Sequence, residues 1–164
     1  MPFAGAMLLA FALVPIGGDV KWPAYALALA LTLIVITGTA LTPWERVPAA
    51  TRLLPAVVFL VAAALLRDAG GGFTSGVATL AMLPVFWIAL HGSRTGLALV
   101  ILGVVAFLGV PVLAIGGPDY PATALRTGVL FVAVSGLMGA TVQRLVGAVR
   151  VQRRELEQLA RPIP

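Results

Sequence analysis

The chain contains no cysteine and a single histidine, and these two shortages exclude whole classes of site. Without cysteine there is no disulfide, no thiolate metal site and no cysteine nucleophile. One histidine, His91, cannot form a multi-histidine metal or haem site within one chain. Paired carboxylates, a catalytic dyad and a phosphate-binding loop are also missing, because Gly70-Gly71-Gly72 follows no strand and is typical of a flexible turn. We therefore expect no enzyme, no metal and no cofactor.

Charge is scarce as well. Of 164 residues, 10% are charged and 60% are hydrophobic, and the mean hydropathy is +1.06. A soluble domain of this size would need far more polar surface. The net charge is +5, but the basic residues flank apolar segments instead of forming one face, which indicates membrane topology and not nucleic-acid binding. The composition predicts an all-α membrane protein whose principal partner is the lipid bilayer.

Apolar segments separated by short polar turns predict a bundle of six transmembrane helices over residues 1–143, followed by a cytoplasmic juxtamembrane helix over 144–164. The third segment has fourteen residues, which rise only about 21 Å against about 30 Å of hydrocarbon, so we expect Arg52 and Arg67 to snorkel from its ends. Pro84 is expected to kink the fourth segment. The predicted spans are Phe3–Ile16, Ala24–Leu41, Leu53–Leu66, Val77–Leu90, Leu97–Ile115 and a sixth that is apolar from Thr127 to Val142.

The arginines lie mostly on alternate loops. Lys21, Arg67 and Arg126 are on the opposite side, and each has an aspartate near it. By the positive-inside rule, this distribution predicts a multi-pass protein of the bacterial inner or plasma membrane with both termini cytoplasmic. The arginines on the predicted cytoplasmic side are Arg46, Arg52, Arg94, Arg144, Arg150, Arg153, Arg154 and Arg161.

An apolar stripe runs out of the sixth segment into the tail at alternating spacings of four and three residues. Such spacing is a heptad pattern, so a parallel homodimer with a cytoplasmic coiled coil is expected, in which Gln152 sets the register. The alternative is an amphipathic helix end that lies on anionic lipid, which the arginines would equally favour. The stripe consists of Met138, Val142, Leu145, Val149, Gln152, Leu156 and Leu159.

Three stretches carry a resemblance to a known family: Leu83–Arg94, the turn Gly116–Pro121, and Val142–Leu145 at the entry to a charged helix. Together they resemble the six-helix amino-terminal membrane region of actinobacterial signalling proteins, which precedes a diguanylate cyclase (GGDEF) domain or a histidine kinase. The resemblance implies a sensory or anchoring input module that is dimeric. This chain ends at Pro164 without a GGDEF motif, a nucleotide site or a phosphoacceptor region. We therefore expect either a fragment of a longer protein or a separate output partner.

Polar residues on the predicted outer side form the candidate ligand site. If the third, fifth and sixth helices converge, two cations, two carboxylates and a phenol would surround a shallow outward cavity. The alternative is that these are helix-end residues in water, paired weakly if at all. The five residues are Arg67, Asp68, Asp119, Tyr120 and Arg126.

Two functions are consistent with these features. The first is a sensory or anchoring module that transmits a conformational change through the sixth helix into the coiled coil. The second is a small-solute transport subunit that resembles the substrate-binding component of an importer, as short helices interrupted by glycine and proline would suit.

Overall fold

A computed structural model describes residues 2–43, 47–48, 51 and 53–159, without the side chains of residues 2, 3, 17, 154, 155 and 157–159. Throughout these ranges the regular structure is helical, and no strand occurs in them. Short 3₁₀ turns at Val14–Gly17, Gly72–Ser75 and Val77–Ala81 join the longer elements. The α-helices are α1 Pro2–Leu13, α2 Trp22–Leu41, α3 Leu54–Ala69, α4 Met82–His91, α5 Arg94–Ala114 and α6 Ala124–Leu159.

Each of the six predicted apolar segments overlaps one of these helices, although the bounds differ. Within the described ranges, α2, α5 and α6 are long and apolar enough to cross a membrane. By contrast, α3 has 16 residues, α1 has 12 and α4 has 10. The described residues therefore form an all-helical structure that includes three helices of membrane-spanning length.

The fourth segment differs from the prediction of one helix kinked at its middle. The chain is a 3₁₀ helix over Val77–Ala81, and the α-helix begins only at Met82. Pro84 therefore lies in the first turn of α4, where a backbone N–H has no intrahelical acceptor and a proline costs little. Pro84 is thus near the start of the α-helix and not at its middle, as the prediction of a kink had required.

Two other prolines leave backbone carbonyls available to side chains on neighbouring helices. A proline has no N–H to donate to the carbonyl four residues earlier. Pro15 thereby leaves the Phe11 carbonyl without this backbone donor, and that carbonyl accepts a hydrogen bond from the Tyr25 hydroxyl at 2.9 Å. Pro111, inside α5, leaves the Phe107 carbonyl, which accepts from Arg67 at 3.2 Å. Each proline thus makes possible a tie between two helices.

Helix α3 is the centre of the bundle. It packs against α2, α4 and α5, while α6 packs against α4 and α5. Small residues such as Ala56, Ala62 and Ala63 are buried on α3, and small side chains permit close approach of helices in a membrane. Exposed large apolar side chains are more numerous on α2, α5 and α6, for example Ile34, Leu102 and Leu130, although Val57 on α3 is also half exposed. That distribution suits lipid-facing outer helices around a more deeply buried central one.

Candidate functional site

At one end of the bundle, three chain segments meet in a polar cluster. The segments are the α1–α2 connection, the carboxyl end of α3 and the α5–α6 connection. Two backbone hydrogen bonds fix them together: Lys21 N–H donates to the Ala69 carbonyl at 3.0 Å, and Phe73 N–H donates to the Asp119 carbonyl at 2.9 Å. We call the side chains that meet there, Lys21, Arg67, Asp68, Asp119 and Tyr120, the loop-end network.

Lys21 joins the two carboxylates of this network. Its Nζ lies 3.1 Å from Asp68 Oδ1 and 3.0 Å from Asp119 Oδ2. Two hydrogen bonds raise the pKa of the Lys21 ammonium above the ordinary 10.5. The bond donated to Asp119 has the largest effect, and the bond donated to Asp68 comes next. All three side chains are partly exposed, so each ion pair by itself contributes modestly to stability. Their effect is to attach one loop to two others.

Arg67 lies in the last turn of α3 and is only 1% exposed. Its Nη1 donates to the Phe107 carbonyl, and its guanidinium carbon lies 5.4 Å from the centre of the Phe107 ring and 5.1 Å from that of the Tyr120 ring. Both distances allow cation–π attraction. Its buried Nε has no hydrogen-bond partner among the described residues. The aromatic faces therefore supply much of the compensation for removing this charge from water.

Tyr120 closes the network from the α5–α6 connection. Its side chain is 1% exposed, and its hydroxyl donates to Asp68 Oδ1 over 3.4 Å. Burial, reinforced by the charge of Asp68, raises the pKa of the Tyr120 phenol from 10.0 to about 12, although Arg67 and Lys21 act in the opposite direction. The phenol is thus held in its neutral form.

These pKa shifts predict how stability depends on alkaline pH. Both Lys21 and Tyr120 have pKa values raised by folding, so their stabilising contribution is complete below about pH 10 and is lost as pH rises through the folded values. Unfolding in detergent, followed by circular dichroism from pH 8 to pH 12, should show stability falling above about pH 10. In Tyr120→Phe the fall should be shallower, because one of the two titrations is removed. An equally steep fall in that variant would mean that Tyr120 titrates in the folded protein as it does in the unfolded chain.

Gly72 allows the α5–α6 connection to approach the α3–α4 connection closely. Its φ is +69°, in the left-handed region that favours glycine, and a Cβ built on it would overlap the Asp119 carbonyl oxygen. That same carbonyl accepts the hydrogen bond from the next residue, Phe73. Gly72 is therefore required by both conformation and space.

The structure brings four of the five predicted site residues together: Arg67, Asp68, Asp119 and Tyr120. Arg126 is exposed in the first turns of α6, and no contact among the described residues joins it to the other four. The expectation that Arg67 snorkels from the end of the third helix is wrong, because its side chain points into the protein. Arg52, for which the same was expected, lies outside the described residues. Sequence reasoning left Lys21 out of the site. The sequence did offer one indication, because the predicted topology places Lys21 on the same side of the membrane as Asp68 and Asp119.

The chemistry of the network is that of a fastening between loops. The ammonium, both carboxylates and the phenol are engaged with one another, and Arg67 and Tyr120 present almost no surface to water. In the described part of the chain, no group of three or more histidine, cysteine, aspartate or glutamate side chains has the arrangement of a metal site. Replacing Asp68 by a neutral residue would detach Lys21 from α3, and replacing Asp119 would detach it from the α5–α6 connection.

The predicted dimer stripe lies on α6 at the other end of the bundle. Val142 is half-buried against the core, whereas Leu145, Val149 and Leu156 are 62%, 61% and 67% exposed. Gln152 is also exposed, and the side chain of Leu159 is outside the described residues. From Leu145 onward, the apolar side chains of the stripe that the structure describes are therefore exposed.

Comparisons with protein-family models, with curated proteins and with solved structures find no match for this chain.

Proposed function

We propose that this chain is the sensory or anchoring membrane input module of a signalling system, and that α6 transmits changes in the loop-end network to a cytoplasmic coiled coil. In this proposal the six apolar segments form a six-span domain with both termini in the cytoplasm. The coiled coil pairs two copies of the chain, and the output is a GGDEF domain, a histidine kinase or a partner protein. The resemblance of Leu83–Arg94, Gly116–Pro121 and Val142–Leu145 to such regions agrees with this role.

One observation carries the proposal: α6 is a single helix from Ala124 to Leu159. It begins shortly after Asp119 and Tyr120, and it ends beyond the exposed stripe. Its 36 residues correspond to about 54 Å, well over the roughly 30 Å of a hydrocarbon core. A helix of that length converts a displacement at one membrane face into rotation or translation at the other.

The exposed stripe supports pairing of two copies. Leu145, Val149 and Leu156 are large apolar side chains exposed on α6, and in water they would be covered most simply by the same stripe of a second chain. Arg150 meanwhile holds the adjacent part of α6 to α4, since its Nη2 donates to the Leu90 carbonyl at 2.9 Å. The tail is thus attached to the bundle on one face and apolar on another.

The grouping of charges agrees with the proposed topology. Lys21, Asp68 and Asp119 contact one another at one end of the bundle. Arg94, Arg144 and Arg150 line a common cleft between α5 and α6. Cations paired with carboxylates at one end, and a cleft lined by arginines without a carboxylate at the other, are what the positive-inside rule expects of the outer and cytoplasmic faces.

Disulfide cross-linking in native membranes tests the proposal, and the cysteine-free sequence removes background. Single variants Leu145→Cys, Val149→Cys and Leu156→Cys should form covalent dimers on mild oxidation, because a and d positions face the partner helix. Val151→Cys is the matched control. Val151 is similarly exposed, at 55%, but lies off the stripe, so it should cross-link much less.

Two outcomes would refute the paired helix. One is the same cross-linking yield at Val151 as at the stripe, which would indicate random collision. The other is no dimer at any stripe position while each cysteine remains reactive to a maleimide, which would favour a tail lying alone on the membrane surface.

A further inference from the structure

A cleft of about 630 Å³ opens between α5 and α6 at the end of the bundle opposite the loop-end network. Small residues on α6, among them Ala140 and Gly147, line the cleft and leave its space unfilled. The volume lies within the range of small-molecule sites, which is about 300 to 1,000 Å³. The cleft is large enough for a charged headgroup and part of an apolar chain.

The mouth of the cleft carries positive charge only. Arg94 at the start of α5 and Arg144 and Arg150 on α6 line it, and no carboxylate is among the lining residues. In the part of the chain that the structure describes, both ion pairs belong to Lys21, so the guanidinium groups at the cleft are not neutralised by aspartate or glutamate there. Guanidinium groups bind phosphate through paired hydrogen bonds.

The deeper part of the cleft is apolar. Leu97 and Ile101 line it from α5, and Ala140 lines it from α6. Ile101 is seven residues along α5 from Arg94, which corresponds to about 10 Å along the helix axis. The charged Arg94 and the apolar Ile101 thus lie about 10 Å apart along the same helix. A phospholipid has the same arrangement, with its phosphate at the interface and its acyl chain beside the helices.

We propose that this cleft binds an anionic phospholipid of the membrane, with the phosphate of its headgroup on Arg94, Arg144 and Arg150 and an acyl chain along Leu97 and Ile101. Anionic lipids are drawn to basic pockets between membrane helices on the cytoplasmic side. This site does not depend on the proposed signalling function. It would place a lipid against α6 just before the helix leaves the bundle.

Native mass spectrometry of the full chain, delipidated in mild detergent, tests the site. The probes are phosphatidylglycerol and phosphatidylcholine with the same acyl chains, together with inorganic phosphate. Phosphatidylglycerol should bind at least about 10-fold more tightly than phosphatidylcholine, and the double variant Arg94→Gln/Arg144→Gln should lose about 10-fold or more of that affinity. Arg153→Gln, an exposed arginine outside the cleft, should change it less than about twofold.

A second variant probes the apolar part without altering charge. Ala140→Leu adds bulk beside the proposed acyl chain and should weaken phosphatidylglycerol binding while leaving the helix content unchanged. Equal binding of the two lipids, equal loss in Arg153→Gln and in the double variant, or full binding by both cleft variants would overturn the proposal. Displacement of the lipid by millimolar phosphate would also overturn it, since the site would then hold a free anion.

Discussion

Replacing Gly72 by alanine is expected to separate the α3–α4 connection from the α5–α6 connection and to lower the free energy of unfolding by about 3 kcal/mol. A left-handed φ costs a residue with a Cβ about 1 to 2 kcal/mol. The new methyl group would also overlap the Asp119 carbonyl, so the hydrogen bond that Phe73 donates to that carbonyl must lengthen or break, at a further cost of about 1 to 2 kcal/mol. Unfolding by a graded SDS titration in mixed micelles, followed by circular dichroism, measures the change.

Gly76 provides a control for this prediction. Its φ is +70°, almost the same as that of Gly72, but a Cβ built on it meets nothing within 4 Å. Gly76→Ala should therefore show the conformational cost alone, about 1 to 2 kcal/mol. If the two variants were equally destabilised, the close approach of Gly72 to Asp119 would contribute nothing, and the loop-end network would not depend on it.

Arg67→Ala is expected to destabilise the protein by about 3 kcal/mol. The substitution leaves a cavity in the core and removes the donor to the Phe107 carbonyl, and these losses exceed the relief of no longer burying a charge. The cost should fall by about 1 kcal/mol when Pro111→Ala is present in the same chain, because the restored N–H can then satisfy that carbonyl within α5. A double-mutant cycle of unfolding free energies measures this coupling.

Two variants act as controls for the cycle. Pro15→Ala restores an N–H four residues after Phe11, whose carbonyl already accepts from Tyr25. It provides no donor for the Phe107 carbonyl. The costs of Arg67→Ala and Pro15→Ala should therefore add. Arg126→Ala removes an exposed arginine and should change stability by less than about 0.5 kcal/mol. Additive costs for Arg67→Ala and Pro111→Ala as well would show that the Phe107 carbonyl does not depend on the arginine.

The sequence predicted the helices well and the partners of the polar residues poorly. Hydropathy located all six apolar segments, because their length and composition are local properties of the chain. It did not reveal that Val77–Ala81 is a 3₁₀ helix, since a short apolar run has much the same composition in either form. It also assigned each segment a full span, whereas three helices reach that length in the described residues.

Arg67 and Asp68 show why pairing could not be predicted from proximity in sequence. On a helix, adjacent residues point about 100° apart and do not face each other. Arg67 therefore points into the bundle towards Phe107 and Tyr120, while Asp68 points to Lys21 across the loops. The acceptor for Arg67 exists because of Pro111, a residue on another helix whose consequence appears only when α3 and α5 lie side by side.

The tie between Arg67 and Phe107 also bears on how the chain is assembled during synthesis. Phe107 follows Arg67 by 40 residues, so α3 leaves the ribosome before its hydrogen-bond acceptor has been translated. In the proposed six-span domain, the guanidinium would keep its hydration until then, since a lone arginine in hydrocarbon is costly. The tie between α3 and α5 thus forms only after the fifth helix has been made, and the centre of the bundle is completed late.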